Sequence, residues 1–216
     1  MSERIAIFGA TGGTGKRLVR QALDRGYAVT AFVRDPAKLG IDDDNLHIAQ
    51  GDFLDVDAVA AALAGGFDAV ICAAGIYQRE YRTDLSDGTR NIVDAMQKHG
   101  IRRLLVVSSI GAGDSKGQGA WWVRAYYKLM LKYVIWDKDR QEQLIRDSGL
   151  DWTIVRPPRL FERDELNPDV VVWSGPQPQR KLAWSVTRPT LAKVMLDAFA
   201  DNQYVGVAIN ISDPGN

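Results

Sequence analysis

Three glycines spaced by three residues, Gly9, Gly12 and Gly15, separate an apolar run from a helix-like segment in IFGATGGTGKRLV. A turn without side chains lets a phosphate approach the main chain, whose free N–H groups and helix dipole then stabilise negative charge. The spacing alone is a weak signal, and its position between a strand and a helix makes it informative. Two threonines in the loop would add hydroxyl donors. The predicted pyrophosphate site comprises Gly9, Thr11, Gly12, Gly13, Thr14 and Gly15.

The ends of the next two apolar runs indicate which dinucleotide such a loop would hold. In a dinucleotide-binding βαβ unit, an acid at the end of the second strand binds the ribose diol, whereas an arginine accommodates a 2′-phosphate. Arg34 stands at that place in FVRD, and Lys38 follows one helical turn later. These two cations favour NADP(H), with a solvated surface arginine as the alternative. Asp52 and Phe53, after the third run, are predicted beside the adenine, and a helix cap is the other interpretation of Asp52.

These residues can meet only if the chain alternates strands with helices. Apolar runs of strand length occur at residues 5–8, 29–33, 46–49, 69–74, 104–109 and 152–155. Segments with helical periodicity lie at residues 16–26, 55–66, 87–100 and about 120–148. The alternation predicts an α/β fold with a doubly wound, mostly parallel sheet, whose binding crevice lies at the carboxyl ends of the strands.

The C-terminal third has a different pattern. Strand-like VVVW (170–173) and KLAWSV (181–186) flank a Gly-Pro turn, and a helix-like segment and a last strand, VAINIS, follow. We interpret residues 157–186 as a small cap segment on the substrate side of a single domain that spans residues 1–216.

Composition narrows the classes of partner. Lys plus Arg and Asp plus Glu both number 27, so no net charge would recruit nucleic acid or an acidic membrane. Cys72 is the only cysteine and the two histidines are far apart, which predicts no disulfide and no metal site. No apolar run reaches the roughly 20 residues that span a bilayer, and no leader pattern opens the chain. We expect a cytoplasmic monomer or homodimer that binds small molecules.

Several motifs together resemble the atypical short-chain dehydrogenases/reductases. They are GATGGTG, VRD, GDF, an AAG after the fourth apolar run, VVSS after the fifth, and SGLDWTIVRPPRL. Within that group the chain is similar to NADPH-dependent flavin reductases of the biliverdin reductase B type and to NmrA-like NAD(P)H-binding proteins. The resemblance extends from Arg4 to about Ser212. It implies a Rossmann fold that binds NADP(H).

The resemblance also implies positions around the nicotinamide. It places six residues on the ribose and nicotinamide side of the cofactor, namely Ala73, Ala74, Gly75, Ser108, Pro157 and Pro158. Ser109, the last residue of VVSS, would lie nearest the reacting atoms. Its hydroxyl would bond the acceptor or the nicotinamide carboxamide, and a bond to local backbone is an equally good interpretation.

The chain departs from the family at its proton donor. Reductases of carbonyl groups carry Tyr-x-x-x-Lys, because the alkoxide that they form needs a proton. Tyr126, Tyr127 and Tyr133 have no lysine four residues further on. Lys138 is the lysine nearest to the missing role, and we favour the alternative interpretation that it is an exposed ion-pair partner of Glu142. The departure points away from alcohol chemistry and towards an acceptor, such as a flavin, that can take a hydride without a proton donor from the protein.

An aromatic segment at residues 120–136 is the remaining candidate for acceptor binding. On one continuous helix a single stripe would hold Trp122, Tyr126, Leu129, Tyr133 and Trp136, beside a basic stripe of Arg124, Lys128 and Lys132. Packing on the sheet, a substrate lid hinged by GAGDSKGQG, a dimer surface and an interfacial membrane helix are the alternatives. The predicted substrate contacts are Tyr77, Trp122, Tyr126 and Arg159. Arg159 replaces the histidine that follows the double proline in the flavin reductases, and it would suit an anionic group.

The sequence thus predicts an NADPH-dependent oxidoreductase that transfers hydride to a flat, conjugated acceptor such as a flavin or quinone. The alternative is a non-catalytic NAD(P)H-binding redox sensor that acts on a partner protein. An isomerase or epimerase of sugar nucleotides is disfavoured, because that chemistry needs the absent Tyr/Lys pair.

Overall fold

The computed structural model describes residues 2–215, in which strands and helices alternate as predicted. The strands are β1 (Arg4–Phe8), β2 (Ala28–Val33), β3 (Leu46–Gln50), β4 (Ala69–Cys72), β5 (Arg103–Val107), β6 (Asp151–Arg156), β7 (Arg159–Phe161), β8 (Val171–Trp173), β9 (Ser185–Thr187) and β10 (Val207–Ser212). The helices are α1 (Gly13–Asp24), α2 (Val56–Leu63), α3 (Asp84–His99), α4 (Trp121–Met130), α5 (Lys132–Arg146) and α6 (Arg188–Ala200). Residues 1 and 216 of the predicted domain lie outside the described range.

The strands form an eight-stranded sheet in the order β3-β2-β1-β4-β5-β6-β10-β8. Every neighbouring pair is parallel except β10 with β8, which confirms the predicted doubly wound, mostly parallel sheet. The strand order reverses between β1 and β4, and a crevice opens at such a switch point beyond the carboxyl ends of the strands. The loops after β1, β2, β3 and β4 therefore converge there.

Both faces of the sheet are covered, which explains the nearly continuous apolar runs. Ile5 and Ile7 of β1 belong to the core formed with α1 and α6. Ala6 and Phe8, which alternate with them, belong to the core formed with α2 and α3. In residues 2–215 no helix is long and apolar enough to cross a membrane.

The long helix predicted at about 120–148 is in fact two helices. Leu131 ends α4 and precedes α5 with φ −116° and ψ 13°, outside the helical region. The aromatic stripe predicted on one continuous helix was therefore wrong, because the helix is interrupted at Leu131, between Leu129 and Tyr133.

The face of α5 that packs on the sheet is polar. Its buried residues are Asp137, Lys138, Gln141, Glu142 and Ile145. Asp137 accepts hydrogen bonds from the main-chain N–H groups of Leu85 and Ser86 and so satisfies the first turn of α3. Gln141 donates to the hydroxyl of Thr89 at 2.8 Å. Most groups of this buried polar face therefore have partners, although the side-chain oxygen of Gln141 has none among residues 2–215.

The cap segment is less regular than predicted. β7 pairs with β9 in a separate two-stranded parallel sheet, and β8 extends the main sheet. Only the end of KLAWSV is a strand, because β9 begins at Ser185, and Leu182 makes an isolated bridge to Pro214.

Candidate functional site

The glycine loop folds tightly after β1, and its glycines have different roles. Gly9 has φ +75°, and a Cβ there would lie 2.7 Å from the main-chain nitrogen of Ala74 in the loop after β4. A Cβ at Gly15 would overlap the carbonyl oxygen of Gly9. Gly12 is less crowded, with that oxygen 3.2 Å from the position of its Cβ. Gly9 and Gly15 therefore close the loop, and Gly12 leaves the main chain open to a ligand.

The loop leads into α1, whose N-terminal end can bind an anion. Gly12 is the N-cap residue, and within the described chain no side chain caps this helix and no acid occupies its first turn. The positive end of the helix dipole and the first N–H groups therefore point towards the crevice. Thr14, in that first turn, is buried.

A groove of about 450 Å³ crosses the carboxyl ends of the strands, within the size range of ligand pockets. We call it the dinucleotide groove. It brings together ten of the predicted residues, namely Gly9, Thr11, Gly12, Arg34, Asp52, Phe53, Ala73, Ala74, Gly75 and Tyr77. Four separate loops supply them, as the predicted fold requires.

The cations predicted for a 2′-phosphate differ in position. Arg34 is exposed and lines the groove. Lys38 is exposed in a short 3-10 turn, is not among the groove-lining residues, and lies 3.5 Å from the carboxylate of Asp35. Arg34 is thus better placed than Lys38 to contact a phosphate in the groove.

Asp52 and Phe53 line the groove between β3 and α2. The carboxylate of Asp52 accepts from the N–H of Leu54 at 3.0 Å, whereas the cap of α2 is Asp55. The alternative interpretation of Asp52 as a helix cap was therefore wrong. The Phe53 ring packs so closely on Gly88 of α3 that a Cβ at Gly88 would overlap it.

Arg188 is a cation at the start of α1 that the sequence analysis missed. Its guanidinium covers Gly13, with Nε 2.8 Å from the position of a Cβ there, and Nη1 donates to the Thr14 hydroxyl at 3.3 Å. Its Nε also bonds Glu162 at 2.5 Å. A phosphate at the start of α1 would be within reach of this side chain. Nothing in the sequence signals this, because Arg188 lies 174 residues from Thr14.

The hydroxyl of Ser108 points away from the dinucleotide groove, towards Glu142. The hydroxyl is buried and donates to Glu142 at 2.6 Å. Arg156 donates to both oxygens of the same carboxylate and also lies 2.5 Å from Asp114. Ser108 therefore belongs to a buried ionic cluster between β5, β6 and α5, and its hydroxyl is not available to the nicotinamide.

Ser109 stays half-buried after β5 and lies beside a phenol. Its hydroxyl donates to the carbonyl of Ile110 at 3.0 Å. Burial raises the pKa of Tyr127 to about 12, although a hydrogen bond with Ser109 acts in the opposite direction. Tyr127 is therefore protonated near neutral pH. The sequence analysis had set Tyr127 aside, because it considered only phenols with a lysine four residues later.

The prediction of Lys138 as an exposed ion-pair partner was wrong. Lys138 is 7% exposed, and its Nζ donates to the carbonyl of Val107 at 3.0 Å. Burial lowers its pKa to about 8, against the opposing effect of nearby Cys72, Glu142 and Asp137. Its i,i+4 neighbour Glu142 pairs with Arg156 instead. The position beneath β4 and β5 turns both side chains towards the sheet.

A second cavity, of about 480 Å³, lies beside Ser109 and has aromatic and charged walls. We call it the aromatic cavity. Its walls include Tyr81, Tyr127, Trp136, Lys116, Arg124, Lys128, Lys132 and Asp139. Gly111 also lines it, and a Cβ on Gly111 would lie 3.2 Å from the Tyr127 ring. The cavity thus reaches the chain two residues beyond Ser109.

The other predicted contacts lie outside both cavities. Trp122 and Tyr126 are 52% and 48% exposed on α4 and are not among the residues that line the aromatic cavity. Pro157 and Pro158 are buried after β6, and the Pro157 carbonyl accepts from Ile110. Arg159 is exposed, with its guanidinium 4.9 Å from the centre of the Phe161 ring. Within residues 2–215 no cluster of His, Cys, Asp or Glu could hold a metal ion.

Comparison with known proteins identifies the family. Residues 9–202 match the sequence model of a family described as NAD(P)H-binding. The chain belongs to this NAD(P)H-binding family. The match begins at Gly9, so the glycine loop lies inside it. Membership agrees with the predicted resemblance to atypical short-chain dehydrogenases/reductases and makes the cofactor a nicotinamide dinucleotide.

Sequence relatives and solved structures are similar to this chain over most of its length. An uncharacterized chloroplast protein of Arabidopsis thaliana is 34% identical over 94% of this chain and 74% of its own length. The chloroplast protein TIC 62 of Pisum sativum is 30% identical over 71% of this chain, which spans only 32% of TIC 62. The structure of ChuY, an anaerobillin reductase from Escherichia coli O157:H7, superposes with a TM-score of 0.79 at 23% identity, covering 99% of this chain and 98% of that one.

Proposed function

We propose that the protein transfers hydride from NADPH to a flat, conjugated acceptor such as a flavin or quinone. The observation that carries the proposal is that neighbouring loops line the two cavities. The dinucleotide groove ends at the loop after β4, and the aromatic cavity begins beside the loop after β5. Cys72 of β4 pairs with Val106 of β5, so these two loops are neighbours.

The bound nicotinamide would supply the hydride, and the chain would orient it and its acceptor. The start of α1 and Arg188 would hold the pyrophosphate, and Phe53 and Asp52 would lie at the adenine. Ala73, Ala74 and Gly75 would border the nicotinamide ribose. The acceptor would enter from the aromatic cavity, with Ser109 between the two.

The choice of NADPH over NADH is proposed from Arg34. This side chain lines the groove at the end of β2, where a 2′-phosphate would lie, and the acid that follows it in the chain, Asp35, caps the N–H of Ala37. A guanidinium can bind a phosphate with two parallel hydrogen bonds. An NAD-specific site would need a carboxylate at this position instead.

The positions of Tyr127 and Lys138 favour an acceptor that does not need a proton from the protein. Tyr127 holds its proton up to a pKa of about 12, so it would donate a hydrogen bond but yield the proton reluctantly. The amine of Lys138 is bound to the Val107 carbonyl beneath the strands. A conjugated ring can delocalise the charge that a hydride brings, and water can complete the protonation. ChuY, which shares the fold, is a reductase of anaerobillin by its published name.

A non-catalytic NAD(P)H sensor is the second candidate, and the surface of α4 favours it. Trp121 and Leu129 are 75% and 73% exposed there, and Met130 is 58% exposed. Exposed apolar side chains in such number on one helix are typical of a contact surface. In that case cofactor binding would be the signal, and a partner protein would read it.

The test is absorbance at the nicotinamide band when purified protein, NADPH and a panel of flavins and quinones are mixed, with NADH in parallel. We expect acceptor-dependent oxidation that is faster with NADPH. Tight NADPH binding without oxidation by any acceptor would refute the reductase and favour the sensor. Equal rates of NADPH and NADH oxidation would still support a reductase, but they would refute the proposed binding of the 2′-phosphate by Arg34.

A further inference from the structure

The aromatic cavity holds more positive charge than its own carboxylate can neutralise. Lys116 lies 2.7 Å from Asp139, and that pair is balanced. Arg124, Lys128 and Lys132 also line the cavity. Among residues 2–215, none of these three forms an ion pair with a carboxylate. Three positive charges therefore remain around one opening.

The surrounding segment contains no acid that could supply the missing charge. From Ser115 to Trp136 the chain has no Asp or Glu. The next acid, Asp137, is 1% exposed and accepts from the N–H groups of Leu85 and Ser86. In a protein of zero net charge, this is a local concentration of positive potential. The segment itself therefore leaves this charge to ions from solvent or to a ligand.

The other walls of the cavity suit a flat, conjugated ring. Tyr81 and Trp136 meet edge to face, with ring centres 5.2 Å apart and planes at 73°. Tyr127 stands on Gly111, and this glycine brings the ring close to the main chain. Aromatic walls of this kind stack on or meet the edge of another ring system. The aromatic rings and the unpaired cations of the cavity can therefore contact the same ligand.

We propose that the aromatic cavity selects an anionic acceptor, a conjugated ring system that bears a phosphate or carboxylate. The ring lies against Tyr127 and Trp136, and the anion is held by Lys128 and Lys132. This inference rests on the proposed function only in naming the ligand an acceptor, since binding needs no hydride transfer. It divides the acceptors considered so far, because flavin nucleotides carry the required charge and simple quinones do not.

The test compares FMN with riboflavin, which have the same ring and differ by one phosphate. Dissociation constants are measured by quenching of flavin fluorescence at low ionic strength, with NADP⁺ at saturation so that the dinucleotide groove is filled. We expect FMN to bind roughly tenfold more tightly than riboflavin. The preference should shrink in about 1 M salt, where the screening length is about 3 Å. Equal affinities for FMN and riboflavin would overturn the proposal.

Variants locate the site. The double variant Lys128→Gln/Lys132→Gln should weaken FMN binding roughly tenfold, since it removes both exposed cations that would pair with the phosphate. Riboflavin binding should not change. The control is Lys98→Gln, an exposed cation in the last turn of α3, at the opposite end of the sheet. Unchanged FMN affinity in the double variant would overturn the assignment to this cavity, and if that variant does not fold, the wild-type preference decides.

The outcome for this site is separable from the outcome for the proposed function. Tight FMN binding without NADPH oxidation would refute the reductase and support the anion site. Oxidation of NADPH by FMN and riboflavin, with equal affinity for both, would support the reductase and refute the anion site.

Discussion

The dinucleotide groove and the aromatic cavity have similar volumes, about 450 and 480 Å³, and different walls. The groove is lined by residues in four loops at strand ends, where small residues, namely Gly9, Gly12, Gly51, Ala73, Ala74 and Gly75, leave main chain accessible. The cavity is lined mainly by long side chains from the loop at Tyr81, from the loop after β5 and from two helices. Turn geometry alone can fix a wall of main chain. A wall of long side chains exists only once the helices that carry them are in place.

The largest effect is expected from the buried cluster that supports the acceptor side. Glu142→Gln leaves Arg156 buried beside a neutral partner, so the free energy of unfolding should fall by about 3–5 kcal/mol. Urea unfolding followed by circular dichroism measures it. The cluster also borders the loop after β5, since a Cβ at Gly113 would overlap both side chains. The Glu142 variant should therefore lose more affinity for the acceptor than for NADPH.

The matched control is Asp114→Asn, which removes a carboxylate from the same guanidinium. The Asp114 side chain is 67% exposed, so its pair with Arg156 is screened by solvent. Its loss should cost less than about 1 kcal/mol. If both substitutions cost the same, burial is not what makes the Glu142 pair important.

On the groove side, the largest effect is expected from Gly15. An added Cβ would overlap the carbonyl oxygen of Gly9, and main chain on both sides cannot yield easily. Gly15→Ala should lower the free energy of unfolding by about 2 kcal/mol and abolish tight NADPH binding. Gly12→Ala is the control, because its Cβ would meet only one atom at 3.2 Å. Similar losses of stability in both variants would contradict the different roles of the two glycines.

The contrast between the two walls explains what the sequence could predict. Strands and the glycine loop follow from runs and spacings within about 15 residues, and ten predicted groove residues meet. Lys138 was misplaced because a Lys and Glu four apart look like a surface pair, and only the sheet beneath α5 decides otherwise. Arg188 was missed because its neighbour Thr14 lies 174 residues away. Long-range pairs of polar side chains leave no periodic pattern.

A smaller effect, on NADPH affinity, is expected when Arg34 or Lys38, the two predicted phosphate-binding cations, is replaced. Arg34→Ala should raise the dissociation constant of NADPH roughly 30-fold, since hydrogen bonds to charged groups contribute about 2 kcal/mol, and should spare NADH. Lys38→Ala should change it less than about threefold, because Lys38 is 73% exposed and pairs with Asp35. Fluorescence titration with both cofactors measures this. Equal losses of NADPH and NADH affinity at Arg34 would mean that it does not touch a 2′-phosphate.

The smallest effect separates the aromatic cavity from the exposed face of α4. Trp136 lines the cavity and Trp122 does not, although the two residues would lie on the same face, about four turns apart, of a continuous straight helix. Trp136→Ala should weaken FMN binding about fivefold, as expected for one lost aromatic contact. Trp122→Ala should change it less than twofold, and neither should alter NADPH affinity. If Trp122 has the larger effect, the acceptor lies along α4 in the manner of the lid first predicted, and the break at Leu131 does not define the site.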